Sequence, residues 1–212
     1  MNIGILGSGM VGQALAAKLA EIGQTVMIST RNPQKLGDFL AQNPSVQVGT
    51  PAETATFGQF IFEALSGATA VEALQALAPA LAGKTLVDIA NPLDFSKGFP
   101  PFLSISNTDS LGEQIQQTLP ETKVVKAFNT LAAALMVNPH ALANGEHTLL
   151  VCGNDEAAKA EAMGLFAEWF GWRDMVDLGD ISAARGTEAF LLLWVRLYGR
   201  FQSPMVQLKL VR

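Results

Sequence analysis

The 212-residue chain is poor in reactive side chains, with one cysteine, two histidines and one tyrosine. A lone Cys152 excludes an internal disulfide framework. It falls in an apolar strand-like run, Thr148–Cys152, and reads as a small buried hydrophobe. His140 and His147 lie in a polar connection and read as solvated rather than catalytic. No Ser/His/Asp set, Cys cluster or metal-spaced group of His, Asp and Glu occurs. Net charge is −5 with no basic run, which argues against a nucleic-acid partner. The longest apolar run, Ala189–Val195, is too short to span a bilayer and is flanked by Arg185, Arg196 and Arg200. An apolar N terminus that meets a glycine turn within a few residues does not suit a signal peptide. These absences predict a soluble, cytoplasmic protein with no membrane partner.

What is present is concentrated near the start. An apolar strand, Asn2–Leu6, runs into Gly7-Ser8-Gly9-Met10-Val11-Gly12, followed by a helical pattern and a second strand, Thr25–Ser29. The G-x-G-x-x-G spacing at the turn of a β-α-β unit is the dinucleotide-binding fingerprint. Gly7 permits the tight turn, Gly9 lets a pyrophosphate approach the backbone, and Gly12 lets the helix pack closely. The helix start offers unpaired N–H groups and a partial positive charge of roughly half a unit, a natural site for a diphosphate. Gly23 fits as the helix stop.

One more absence refines this reading. The second strand of a dinucleotide-binding unit usually ends in an acid that bonds the ribose 2′-hydroxyl. Here Thr30 and Arg31 stand in its place. A guanidinium suits a 2′-phosphate through bidentate bonding, whereas a carboxylate would repel it. Thr30 adds a hydroxyl and Lys35 a point charge. The expected cofactor is NADP(H) rather than NAD.

Further along, a short helix is expected over Pro33–Gln42 with Asn32 as its cap, then a strand at Val46–Val48. Strand Phe60–Leu65, an alanine-rich helix Thr69–Leu81 and strand Lys84–Ala90 follow. Ser96–Thr108 reads as loop, Ser110–Thr118 as helix and Lys123–Ala127 as strand. Then come strand Thr148–Cys152, helix Asp155–Phe170, strand Met175–Leu178 and a last helix from about Ser182 to Tyr198. Short apolar strands alternating with helices imply an α/β, Rossmann-type, doubly wound parallel sheet. One NADP-binding domain over 1–212 is expected, with residues from about 145 to 212 as a small C-terminal α/β extension packed on it. The last helix carries apolar residues on all sides, which favours a homodimer formed through it.

Ligands of open α/β sheets sit outside the carboxyl ends of the strands. Leu65 and Ser66, Asn91 and Pro92, and Asn129, Thr130 and Leu131 fall there. They are candidates for the nicotinamide end. A dehydrogenase of alcohols or amines needs a proton donor or acceptor, usually His, Lys or Tyr. None is evident, and no catalytic residue is assigned. Hydride exchange with a second redox cofactor needs stacking, distance and exclusion of water instead. An NADP(H)-binding redox sensor without turnover stays open as an alternative.

The segments GSGMVG, STRNPQK, VVKAFNT (124–130), LLVCGNDEAA (149–158) and VDLGDISAAR (176–185) together resemble the deazaflavin-dependent NADP oxidoreductases. That resemblance implies reversible hydride transfer between NADPH and coenzyme F-420 (F420). VVKAFNT and DLGDISAAR are also similar to the cytosolic domain of the six-transmembrane metalloreductases, which implies flavin-mediated reduction of ferric or cupric ions. FMN or FAD is then the second redox partner. By resemblance, Ser8–Val11 would cover the pyrophosphate, and Thr30, Arg31 and Lys35 the 2′-phosphate. Leu65, Asn91, Pro92, Asn129, Thr130 and Leu131 would surround the nicotinamide, and the C-terminal part would form a dimer. The chain departs from the family pattern at FEALSG, where Ser66 takes the place of a proline and Glu63 interrupts the apolar run.

Overall fold

The computed structural model describes residues Met1–Arg212. β1 (Asn2–Leu6) leads through the glycine turn into α1 (Met10–Glu21), and β2 (Thr25–Ser29) returns beside β1. The helix expected over Pro33–Gln42 is divided into a 3-10 turn, Pro33–Leu36, and α2 (Gly37–Gln42). Asn32 starts the turn but its side chain makes no capping bond. Instead Thr30 Oγ1 accepts from the Asn32 N–H at 3.1 Å and donates to the Asn32 carbonyl at 3.2 Å. β3 occupies Gln47–Gly49.

α3 (Pro51–Phe57) is an addition to the expected elements, and its signal is local. Thr50 Oγ1 accepts from Glu53 N while Glu53 accepts from Thr50 N, a capping box with Pro51 in the first turn. β4 (Phe60–Glu63) follows, then α4 (Gly67–Gln75) and α5 (Ala78–Leu81). The single helix expected over Thr69–Leu81 breaks because Pro79 has no N–H to give the Gln75 carbonyl. β5 (Thr85–Asp88) precedes a stretch expected to be irregular. There β6 (Leu93–Asp94) and β7 (Phe102–Leu103) pair as a small antiparallel ribbon.

Next come α6 (Leu111–Thr118), capped by Ser110 Oγ, β8 (Lys123–Lys126) and α7 (Ala133–Val137). β9 (Leu149–Gly153) and α8 (Glu156–Phe170) follow. Asp155 caps α8, and left-handed Gly171 stops it. β10 (Met175–Asp177) and α9 (Ala184–Phe201) complete the order.

The strands form one eight-stranded sheet in the order β10-β9-β8-β5-β4-β1-β2-β3. This is an α/β Rossmann-type fold with helices on both faces. Every pairing is parallel except β8 with β9. The sheet is the doubly wound, mostly parallel one expected, and the single exception, where the C-terminal part joins it, has a geometric cause. A crossover needs a helix long enough to carry the chain back along the strand. The five residues of α7 rise only about 7.5 Å, so β9 starts from the end where β8 stops.

Alternate strand residues feed two cores. Ile3, Ile5, Phe60, Phe62, Val87 and Val125 face α1, α7 and α8. Leu6, Ile61, Leu86, Val124 and Cys152 face α4 and α6. Aromatics fill the first core, with the Phe128 and Phe166 rings 4.4 Å apart. His147 belongs to it and is not solvated. Its ring stands edge-on to Trp172 at 5.1 Å, and Nε2 donates to the Pro139 carbonyl at 2.9 Å. The connection after α7 folds over this ring, which sequence polarity alone does not reveal.

Phe166 is fully buried. Phe166→Ala is expected to lower stability by about 3–5 kcal/mol in urea unfolding. A loss below about 1 kcal/mol would contradict this packing.

Candidate functional site

The glycine turn is held in a conformation that larger residues could not take. Gly7 has φ +117°, and a Cβ there would meet the Ala64 carbonyl oxygen at 2.5 Å. A Cβ on Gly12 would collide with the Gly7 carbonyl oxygen, so α1 lies directly against the turn. Gly9 has no protein atom within 4 Å of where its Cβ would stand. The turn is fixed from both sides. Gly7 N donates to the buried Ser29 Oγ at 3.0 Å, and Gln13 Nε2 donates to the Ser8 carbonyl at 2.9 Å.

A cleft of about 630 Å³ opens over this turn. That volume lies within the roughly 300–1,000 Å³ typical of small-molecule sites. Gly7, Ser8, Gly9, Thr30, Arg31, Leu65 and Ser66 all line it. Arg31 forms no ion pair, and its guanidinium is exposed at the end of β2. The Thr30 hydroxyl is already engaged with Asn32 and serves the turn that carries Arg31. Lys35 is exposed on the 3-10 turn and lies outside the cleft lining, as do Met10 and Val11 on the first turn of α1.

The remaining candidates gather at the ends of β5 and β8. Asn91 Nδ2 donates to the Asn129 carbonyl at 2.8 Å, and Asn129 Nδ2 donates to Asn91 Oδ1 at 3.0 Å. This reciprocal pair ties the two loops together. Phe128 precedes it with φ +64°, a left-handed conformation that costs an aromatic residue about 1–3 kcal/mol. Its ring, wedged against Phe166, keeps the turn in place. Thr130 and Leu131 are buried behind the pair, and the Pro92 carbonyl is held by Ser104 N at 2.8 Å. None of Asn91, Pro92, Asn129, Thr130 and Leu131 is in the cleft lining; Gly67, next to the lining residue Ser66, packs on Asn91, where a Cβ would collide with the Asn91 carbonyl oxygen.

A group of residues of which the sequence singled out only Glu63 lies beneath these loops. Glu63, Asp88 and Lys126 are register partners at the ends of β4, β5 and β8, on one face of the sheet. Lys126 Nζ lies 2.9 Å from Asp88 Oδ2 and 2.9 Å from Glu188 Oε1 of α9. Glu188 in turn accepts from Leu111 N at 2.9 Å and Gly112 N at 3.0 Å at the start of α6. Burial pulls the Lys126 ammonium down, but the Asp88 and Glu188 carboxylates outweigh it and hold it above its ordinary value. Burial, then the Asp88 carboxylate, push Glu63 well above the usual carboxylate range. Glu63 Oε2 is buried and has no hydrogen-bond partner. The sequence does carry a signal for this group. The strands FIFE, TLVD and KVVK each end in a charge after an apolar run.

Comparisons with known proteins agree with this architecture. The family model for NADP oxidoreductase, coenzyme F420-dependent, matches residues 2–92. The chain is 29% identical over 218 residues to the F420-dependent NADP reductase of Methanocaldococcus jannaschii, covering 96% of this chain and 95% of that one. It is 32% identical over 193 residues to metalloreductase STEAP3 of Rattus norvegicus. That match covers 90% of this chain but 36% of the rat protein, so the chain spans just over a third of it. A crystal structure of an Arthrobacter sp. FB24 protein, assigned provisionally as an F420-dependent NADP-reductase, superposes with a TM-score of 0.96. The two share 47% identity over the whole of both chains. An imine reductase of Aspergillus terreus superposes with a TM-score of 0.67 at 19% identity, a likeness of fold alone. No helix is long and apolar enough to cross a membrane.

The buried Glu63 gives a pH test. Unfolded, it loses its proton near its ordinary value of 4.5; folded, it keeps the proton to higher pH. Between those values the unfolded state binds fewer protons, so this residue lowers stability as pH rises. Glu63→Gln removes that slope. Its stability relative to the parent is expected to improve steadily from pH 4.5 toward neutrality in urea unfolding. A difference that does not vary with pH would rule out a buried neutral acid.

Proposed function

We propose that this chain, which belongs to the coenzyme F420-dependent NADP oxidoreductase family, transfers hydride between NADP(H) and a deazaflavin or flavin ring. One observation carries the reading. An unpaired guanidinium, Arg31, shares a cleft with a glycine turn at a helix start, and no acid stands at the end of β2. The open space at Gly9 and the N–H groups of Met10, Val11 and Gly12 suit a pyrophosphate. Arg31 suits a 2′-phosphate, with Lys35 as a more distant positive charge. Leu65, Ser66, Asn91, Pro92, Asn129, Thr130 and Leu131 would frame the nicotinamide end.

NADPH, when bound, supplies the hydride. The residues named here bind it, orient it and exclude water. No His, Lys or Tyr is assigned as an acid or base, and hydride transfer to a ring atom of an acceptor cofactor requires none at a substrate carbon. Coenzyme F420 is the favoured acceptor, with FMN or FAD as alternatives. The likeness to the rat metalloreductase supports a second reading, flavin-mediated reduction of ferric or cupric ions. The setting proposed for either is the cytoplasm. The working form proposed is a homodimer through α9, whose Leu193 and Phe201 are 53% and 62% exposed.

Three measurements check this. Arg31→Ala is expected to cost about 1.5–3 kcal/mol of NADPH affinity, the range for hydrogen bonds to a charged group, and to leave NADH nearly unaffected. Equal weakening of both would remove Arg31 from the 2′-phosphate site. Incubation with NADPH and, separately, F420, FMN, FAD or ferric chelates should consume nicotinamide absorbance with at least one acceptor. Tight NADPH binding with no acceptor turned over would favour a redox sensor. Leu193→Glu is expected to shift sedimentation from dimer to monomer, and an unchanged mass would refute the α9 interface.

A further inference from the structure

Asp88 and Lys126 are 0% exposed, although burying an ion costs several kcal/mol. Apolar residues at these positions would extend the core built by Ile61, Leu86 and Val124, and such replacements are often neutral or stabilising. The charges do something that leucine could not. The last ladder bonds at the ends of β4 and β5 are Ala64 N to Leu6 O and Ile89 N to Glu63 O. In each strand the next N–H goes to the carboxylate two residues back. Leu65 N donates to Glu63 Oε1 at 2.7 Å, and Ala90 N donates to Asp88 Oδ1 at 2.9 Å. Lys126 Nζ then donates to the Ala90 carbonyl at 2.6 Å. Ala90 is thus held at both its N–H and its C=O, directly before Asn91 and its bonds to Asn129. Glu188 completes the set from α9, and α6 supplies the N–H groups that satisfy it. The only other titratable group in the row is the Cys152 thiol, the register partner of Lys126.

We propose that Glu63, Asp88, Lys126 and Glu188 are positioning residues. They set the Leu65 and Ala90 peptides, and through Ala90 the Asn91–Asn129 pair, at the depth where the reactive end of the dinucleotide lies. The proposal rests on the nicotinamide-end placement given above. It assigns the four residues to the geometry of hydride transfer and leaves affinity to the Arg31 end. It also makes α9 part of the site's support.

The test uses the full chain. Glu63→Leu removes the acceptor of the Leu65 N–H, whereas Glu63→Gln keeps one. The triple variant Asp88→Leu, Lys126→Met, Glu188→Gln removes the ionic unit and the acceptor of the Ala90 N–H without stranding a buried charge. For Glu63→Leu and the triple variant, kcat with the acceptor that the parent uses should fall about tenfold to a hundredfold. The NADPH dissociation constant should change by less than about threefold. Glu63→Gln should stay within about threefold of the parent in both quantities. The triple variant should melt within about 5 °C of the parent yet remain slow. A triple variant as fast as the parent, or Glu63→Gln as slow as Glu63→Leu, overturns the proposal. The Glu63 pair decides alone if the triple variant does not fold. A parent that oxidises NADPH with no acceptor defeats the functional reading instead. Amide exchange at Leu65 and Ala90 then decides the positioning role. Faster exchange in Glu63→Leu and the triple variant supports it, and unchanged exchange overturns it.

Discussion

Neighbouring parallel strands that end in charged residues at the same register must neutralise them at the same depth. Lys126 meets Asp88 across the ladder, but one ammonium cannot satisfy every acid near it and stay buried without further partners. Burial and the Asp88 carboxylate hold Glu63 well above the usual carboxylate range, and Glu188 reaches in from α9 while accepting two N–H groups from the start of α6. A second tie, Arg185 on Glu113, fastens the same two helices at their edge. The position of the C-terminal helix is therefore tied to an ion pair and two N–H bonds under the strand ends as well as to apolar packing. Cys152 shows the same environment in another way. Burial, with the surrounding acids, pushes its thiol up to about 12 despite Lys126, so it stays an inert core residue.

Above that layer, the proposed site has two chemically different ends. At one end the backbone is open at Gly9 and the guanidinium of Arg31 is free, an arrangement suited to phosphates. Beyond the cleft lining, at the ends of β5 and β8, Asn91 and Asn129 tie two loops together, and the proposed nicotinamide end would lie against them. Affinity can arise at the first end and orientation at the second. That division suits hydride exchange between two cofactors, where distance and dryness matter more than proton transfer.

The reversal of β9 belongs to the same design. Because α7 is short, the chain stays near the carboxyl ends of the strands after β8. Along the way it lays down the Phe128 turn, Asn129 and the His147–Trp172 contact. The long α8 then returns the chain to add β10 and release α9 toward Lys126. The segment that departs from a wholly parallel sheet is thus the one that brings the last helix to the site.

Sequence alone determined whatever depends on residues close together in the chain. The spacing of Gly7, Gly9 and Gly12 specified a turn that needs glycine at Gly7 and Gly12, and the absence of an acid after β2 left Arg31 as the feature of that strand end. Strand and helix periods were legible for the same reason, with errors where Pro79 broke a helix or a capping box went unread at Thr50. Tertiary structure alone decided which strand ends lie side by side. Glu63, Asp88, Lys126 and Glu188 are far apart in sequence, and their meeting depends on ladder register and on the path of α9. It also buried His147 and left Lys35 outside the cleft. Local sterics act over a few bonds and are written in the order of residues. Pairing of distant charges is a property of the packed chain and comes into being only when the sheet is assembled.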